Sequence, residues 1–585
     1  KMKKIKLLLL MLLLLLQATN MNAAINGDKF TVNGMVFVIT DVTHKNVAFA
    51  GSKNPGTINI PATVKDSVNI NWTVTRIQNN SNVPNATSVV IPNTVTAMEA
   101  NSLGGDHMTT VSVPASVIDM ANGVFSSCKA LQAVNVDAGN TKYYSDNGVL
   151  YEKDGANKWL LTYPVAKPGA TYNVPEGTTG VRVNAFQSAK NIESVTLPTT
   201  LKDLPSASPG YNGFTSAQKL KAINVTTGNP NFKSTDGVVF TADDKELVVY
   251  PCGKGTSTLG YGTYTYTIPS TVEKIRSCAF AHVEGFTSVK MTAPLKEIGE
   301  DAFNTCRYLK TVSIPSTVNK VADGAFSGSI ALTEINVDAG NTTYSSDNGV
   351  LYNAAKTELV CYPGGKTGPY TTLPTTKTIR RRAFFYAAGI SKLTLTPGVE
   401  EIGNDAFQQT RALKELIFQP TSHFKKMGTW AFVGSGLEKL DLPASLETLG
   451  TAAFYGCAQL KTVTVANGSK LQSIGQSSFA GCTALESFQF LGSSVAVTIG
   501  KNAFNGDTKL PTFKVPATVT NIEEGAFNGC SGMTSVTFDT PAHIATIGSG
   551  AFQNSGLLSI DLPESVTTIE QSAFNSCQKI GGFLL

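Results

Sequence analysis

Ile298-Gly-Glu-Asp-Ala302-Phe303-Asn-Thr-Cys306-Arg-Tyr-Leu309-Lys-Thr-Val312-Ser-Ile314-Pro315-Ser-Thr-Val318-Asn-Lys-Val321 is followed at once by its own echo, with Ala325-Phe326 in the places of Ala302-Phe303. The same Phe position is filled fifteen times, at Phe125, Phe186, Phe214, Phe280, Phe303, Phe326, Phe384, Phe407, Phe432, Phe454, Phe479, Phe504, Phe527, Phe552 and Phe574. Where copies run uninterrupted the step is 22, 23 or 25 residues. A fixed period in this range identifies a repeat solenoid, one supersecondary unit per turn. In Leu309-x-x-Val312-x-Ile314 the apolar residues alternate with polar ones, the pattern of a strand with one buried face, and Pro315 ends it. Phe303, Cys306 and Leu309 lie three apart, which predicts a short helical or 3₁₀ turn on the opposite side. One such turn cannot bury its own apolar residues; stacked turns bury them on each other, Phe on Phe and Ile on Ile.

Working outward, length alone would suggest about four domains at roughly 150 residues each, but the repeats imply one long array. Charged residues make up 15% of the 585, below the roughly 25% of an average soluble protein. The net charge of +5 is spread without a basic block, which gives nucleic-acid binding no electrostatic support. Residues 1–24 read as a signal peptide: Lys1, Lys3, Lys4 and Lys6 form a positive start, residues 7–16 an apolar run, and Ala23-Ala24 a small-residue cleavage point. The run is too short for a transmembrane span, so the protein is expected to be secreted or displayed outside the cell. Residues 25–76 read as a β-rich N-terminal cap, with a hairpin about Asn33-Gly34. Residues 77–585 read as the array proper, loose at first, with Met98/Leu103 and Met120/Phe125 in its Ile and Phe slots, and with residues 205–213 inserted as a loop before Phe214.

Three longer insertions, near 137–167, 226–254 and 338–366, resemble one another. They share Tyr143-x3-Asn147-Gly148-Val-Leu-Tyr151…Tyr163-Pro164, Phe232-x3-Asp236-Gly237-Val-Val-Phe240…Tyr250-Pro251 and Tyr344-x3-Asn348-Gly349-Val-Leu-Tyr352…Tyr362-Pro363. Asn-Gly or Asp-Gly ahead of a β-branched and aromatic run predicts β-hairpins. These are expected to stand out from the solenoid, either as packed structural flaps or as binding elements.

The Ile-x4-Phe-x2-Cys-x2-Leu-x2-Val-x-Ile-Pro-x-x-Val unit and the Asn-Gly-Val-Leu-Tyr…Tyr-Pro insertion together resemble the BspA-type leucine-rich-repeat surface proteins, over essentially all of residues 26–585. The resemblance implies a leucine-rich-repeat solenoid on the surface of a host-associated bacterium. It also implies adhesion to extracellular-matrix or plasma proteins such as fibronectin and fibrinogen. The family defines repeats rather than catalytic residues, so no functional position carries over, and a non-enzymatic binding protein without cofactor or metal is expected.

The residues themselves support that expectation. The histidines are dispersed (His44, His107, His282, His423, His543), and no metalloprotease, dithiol, nucleophile-elbow or calcium-loop motif is present. Gly364-Gly365-Lys366-Thr367 imitates the end of a phosphate-binding loop, but Val360 stands where its first Gly is needed. Six of the nine cysteines lie three residues after a repeat Phe, and of these only Cys457 and Cys482 occupy consecutive turns, where a disulfide could form. The outward positions of the strands form a Ser/Thr-rich face with a mixed-charge patch. Lys392, Glu415, Lys439 and Asp441 are its candidate ligand contacts, for a host or neighbouring-cell protein. The alternative partner is a glycan held by the hairpins, with Trp159, Tyr151 and Tyr352 as candidate contacts. Ile580-x-x-Phe583-x-Leu585 begins another strand without a capping repeat after it, so the chain is expected to continue beyond Leu585.

Overall fold

The computed structural model describes residues 26–207, 210–256, 264–292, 294–493, 495–580 and 583–584. The signal-peptide stretch 1–24 and Leu585 lie outside the described residues. The chain forms two compact units, one from the described residues of Asn22–Tyr308 and Lys320–Ala325, the other from those of Leu309–Asn319 and Phe326–Leu585. Each is a β-solenoid whose turn comprises a two-residue strand, a bend carrying the Phe, and a strand of about four residues.

In the second unit the longer strands form a parallel sheet in the order Gly368–Thr371, Ile390–Leu395, Glu415–Phe418, Lys439–Leu442, Thr462–Val465, Ser487–Phe490. Register is set by the apolar alternation: Leu393 pairs Leu416, Leu416 pairs Leu440, Leu440 pairs Val463 and Val463 pairs Phe488, all on the buried face. A one-residue slip would turn every one of them to solvent. The Ile slots form a second parallel ladder through Thr378–Ile379, Glu401–Ile402, Lys426–Met427 and Thr448–Leu449. The Phe rings stack between the ladders: centroids from Phe384 through Phe407 to Phe432 are 4.4 and 4.7 Å apart, and Phe504, Phe527, Phe552 and Phe574 follow at 5.1–5.4 Å with planes within 5° of parallel. The first unit repeats the plan, with Phe280 on Phe303 at 4.7 Å and Lys274–Ile275, Glu297–Ile298 and Lys320–Val321 in its Ile ladder.

The expected helical or 3₁₀ turn is absent among the described residues, and the backbone shows why. In the Phe407 bend the N–H groups of Gln408 and Thr410 donate to carbonyls three residues back, those of Asp405 and Phe407. The intervening N–H groups of Asp405, Phe407 and Gln409 donate instead to Thr429, Ala431 and Val433 of the next turn, at 3.0, 2.6 and 2.8 Å. Asp405 and Gln409 are left-handed, at φ 56° and 61°. A left-handed residue every fourth position interrupts any helix, and half the donors are thereby released to bond between turns. The three-residue apolar spacing fits this bend as well as it fits a helical turn.

The hairpins are also placed differently from expectation. Tyr143–Asp146, Val149–Asp154 and Asn157–Thr162 form an antiparallel meander, with Asn147 and Gly148 both at positive φ. Its third strand joins the Ile ladder in parallel, Leu160 pairing Val181. Leu247 and Leu359 do the same with Ile275 and Ile379. Tyr163, Tyr250 and Tyr362 then fill the Phe slot, donating their N–H to Ala185, Ala279 and Ala383 and stacking on Phe186, Phe280 and Phe384 at 5.0, 5.0 and 4.5 Å. The insertions therefore lie within the solenoid wall and do not stand out from it. Lys29–Val32, Met35–Asp41 and Asn46–Ser52 at the N-terminus have the same form, and one register shift recurs in all four, at Val36/Phe37, Leu150/Tyr151, Val239/Phe240 and Leu351/Tyr352. In the copy before Phe214, Ser206–Ala207 pairs with Tyr211–Asn212 as a small antiparallel hairpin.

Candidate ligand-binding surfaces

Lys392, Glu415 and Lys439 sit directly opposite one another on three adjacent strands, so their side chains form one exposed column of alternating sign. Parallel pairing at every turn makes this alignment unavoidable once the buried leucines are in register. Lys392 Nζ lies 3.1 Å from Glu415 Oε2, and Lys439 Nζ lies 2.7 Å from Asp441 Oδ2 on its own strand. The four residues are thus brought together, and they neutralise each other. Exposed pairs of this kind stabilise a fold by at most about 1 kcal/mol; a partner can exchange them for its own charges at little cost. Lys414 and Glu438, 3.1 Å apart, extend the mixed-charge strip.

The candidate hairpin contacts are placed otherwise. Tyr151 and Tyr352 are 1% and 0% exposed, and each hydroxyl is hydrogen-bonded to a second tyrosine, Tyr172 and Tyr370. Burial pushes all four phenols above their ordinary value. Tyr151 and Tyr352 are core, because the meander forms part of the ladder. Trp159 is half-buried: its ring covers Gly180, where a Cβ would come within 2.3 Å of it, and carries the Arg182 guanidinium 3.9 Å above its centroid. Arg182 is in turn held by Glu152 at 2.8 Å.

The nine cysteines are buried, and Cys457 and Cys482, in consecutive turns, are free thiols. Those three residues after a Phe donate their thiols to carbonyls of the preceding turn: Cys306 to Phe280, Cys457 to Phe432, Cys482 to Phe454, Cys530 to Phe504 and Cys577 to Phe552, at 3.1–3.3 Å. His282, the most enclosed imidazole, is pushed down to about 4 by burial. Among the described residues no group of three His, Cys, Asp or Glu is arranged to hold a metal ion, and no helix is long and apolar enough to cross a membrane.

Exposed aromatics lie on the bends, away from the strand face and the hairpins. Tyr386, Trp430 and Tyr455 project from the bends of the second unit. Their signal was available in the repeat alignment, as large aromatic residues at bend positions that most other copies fill with small or polar ones.

The BspA type leucine-rich repeat region matches this chain in six copies, over residues 43–147, 170–242, 262–360, 377–497 and 497–584. No curated protein matches. Among solved structures, the chain is similar to the pneumococcal vaccine antigen PcpA at 17% identity, covering 85% of this chain and 94% of that one with a TM-score of 0.35. A leucine-rich cell surface protein of Faecalibacterium prausnitzii is 16% identical, covering 88% and 96% with a TM-score of 0.34. A leucine-rich repeat protein of Eubacterium ventriosum is 21% identical, covering 74% and 94% with a TM-score of 0.37. With its repeat matched over most of its length, this chain belongs to the BspA-type leucine-rich-repeat family.

Proposed function

We propose that this protein is a bacterial cell-surface adhesin, exported by its residues 1–24, that binds host extracellular-matrix or plasma proteins through the strand face around Lys392, Glu415, Lys439 and Asp441. Residues 25–76 act as the N-terminal cap of the array. The observation that carries the reading is the six-stranded parallel sheet from Gly368–Thr371 to Ser487–Phe490, which holds outward side chains on a rigid scaffold, in a chain of this family. Its surface is polar and self-neutralised, suited to wide contact made of many small contributions. The hairpin route to glycans has less support, because the rings of Tyr151 and Tyr352 are in the core.

The test is binding of the full chain to immobilised fibronectin, fibrinogen and collagen at physiological salt. Saturable binding that falls at least tenfold in the double variant Lys392→Glu, Lys439→Glu is expected. Binding unchanged by that variant would remove the strand face from the proposal, and no binding to any matrix or plasma protein would remove the adhesin.

A further inference from the structure

From Phe384 to Phe574 every bend has two left-handed residues, two before and two after its Phe. Seven of these eighteen positions are Gly (Gly434, Gly456, Gly481, Gly506, Gly525, Gly529, Gly550), and most of the others are Asn, Asp, Ser, Ala or Gln. Large side chains avoid this conformation because Cβ crowds the backbone carbonyl. Two aromatics nevertheless occupy it, Tyr386 at φ 55° and Trp430 at φ 57°. Both rings stay largely open, at 43% and 52% exposed, with the Tyr386 ring edge-on to Phe385 at 4.8 Å. Tyr455, one residue after its own Phe, is 50% exposed. Strained backbone positions cluster at functional sites, so an aromatic ring held exposed on one is ground for a functional hypothesis.

The three rings stand on the bends of Phe384, Phe432 and Phe454, the first, third and fourth of four consecutive turns. Turns of a parallel ladder are about 4.8 Å apart, so the rings are offset by roughly two steps and one step along the array. Polar groups fill the interval. The Gln409 side-chain amide lies over Gly434, where a Cβ would meet it at 2.6 Å, and its Oε1 accepts from Arg411 Nε and Nη2 at 3.0 and 2.9 Å. Gln408 is partly exposed beside it.

We propose that Tyr386, Trp430 and Tyr455 form a glycan-binding strip, on which successive pyranose rings of an oligosaccharide stack by their C–H faces while Gln408, Gln409 and Arg411 bond the hydroxyls. A protein partner needs a contiguous apolar centre ringed by polar groups. Here the flat platforms stand two turns and one turn apart, and the Gln408 and Gln409 amides occupy the turn between Tyr386 and Trp430, so the rings do not merge into one apolar centre. This site lies on the bends and is independent of the strand face proposed for matrix proteins.

The experiment uses the full chain against a panel of α- and β-linked hexose and N-acetylhexosamine oligosaccharides, with hits measured by calorimetry and by acrylamide quenching of tryptophan fluorescence. Trp72 is buried and Trp159 half-buried, so Trp430 dominates the quenchable signal. Saturable binding of at least one oligosaccharide is expected, with Trp430 protected from acrylamide. Trp430→Gly is expected to lose at least tenfold in affinity while its melting temperature stays equal or rises, since Gly suits the left-handed position. The Lys392→Glu, Lys439→Glu variant keeps its glycan affinity. The proposal is overturned if the wild-type chain retains no oligosaccharide of the panel, if Trp430→Gly binds as tightly as wild type, or if Trp430→Gly loses only a protein partner.

Discussion

Asp507 occupies the position three after Phe504, between turns that place Cys482 and Cys530 there, and it is fully buried. Among the described residues neither carboxyl oxygen has a hydrogen-bond partner. The nearby Gly481 and Cys482 amides donate elsewhere, to Asn505 and Phe479. Burial therefore pushes this carboxyl well above its ordinary range. Its folded form binds the proton more tightly than the unfolded chain, so its contribution to stability is complete below the unfolded value of about 3.9 and is lost as pH rises through the folded one. Asp507→Ser, which copies Ser435 and Ser555 in the same column, should raise stability at pH 8 by on the order of 1–3 kcal/mol. It should leave stability near pH 4 almost unchanged; urea unfolding at the two pH values measures the difference.

At the level of the element, the tyrosine-bearing meanders are modified turns that keep the Ile and Phe ladders running. Their tips also finish a sheet: the Gly148, Gly237 and Gly349 carbonyls accept from Val134, Ile223 and Ile335, covering a strand edge that would otherwise lie open. The glycines are needed at these tips, because a Cβ on Gly237 would come within 2.8 Å of the Ala222 backbone while φ is +71°. A lysine four residues after each Tyr holds the tip, Lys366 donating to the Asn348 carbonyl at 2.8 Å and Lys254 pairing Asp236 at 2.8 Å. Two tyrosines of this element should respond oppositely to loss of the hydroxyl. Tyr352→Phe removes the partner of the part-buried Tyr370 hydroxyl and should cost about 1 kcal/mol. The Tyr250 hydroxyl is buried with no partner among the described residues, so Tyr250→Phe should be neutral or stabilising. Equilibrium unfolding of the pair checks both signs.

For the molecule as a whole, cohesion comes from each turn's contacts with its neighbours. Removing a ring from the ladder by Phe407→Ala should cost about 3–5 kcal/mol locally. In a one-dimensional array the loss should spread only through adjoining turns. Hydrogen exchange followed by mass spectrometry should show deprotection centred on the turns of Phe384, Phe407 and Phe432, fading toward Phe527; uniform deprotection of the unit would contradict nearest-neighbour cohesion. The same independence lets one scaffold carry separate surfaces, the strand column at Lys392–Glu415–Lys439 and the aromatic bends at Trp430, without either constraining the other.

The period, the buried Phe and Ile columns, the alternating strands and the Asn-Gly turns were all legible in the sequence, because each follows from local spacing and backbone chemistry repeated many times. Spacing alone could not distinguish a helical turn from the observed bend: the three-residue apolar step fits both, and only stacking supplies the carbonyls that take up the released N–H groups. Nor could it place the hairpin tyrosines. Whether Tyr151 faces solvent or Tyr172 depends on the third strand joining the Ile ladder, a contact between residues far apart in the chain. The exposure of Tyr386, Trp430 and Tyr455 was settled in the same way, by which side of each bend its neighbours leave uncovered.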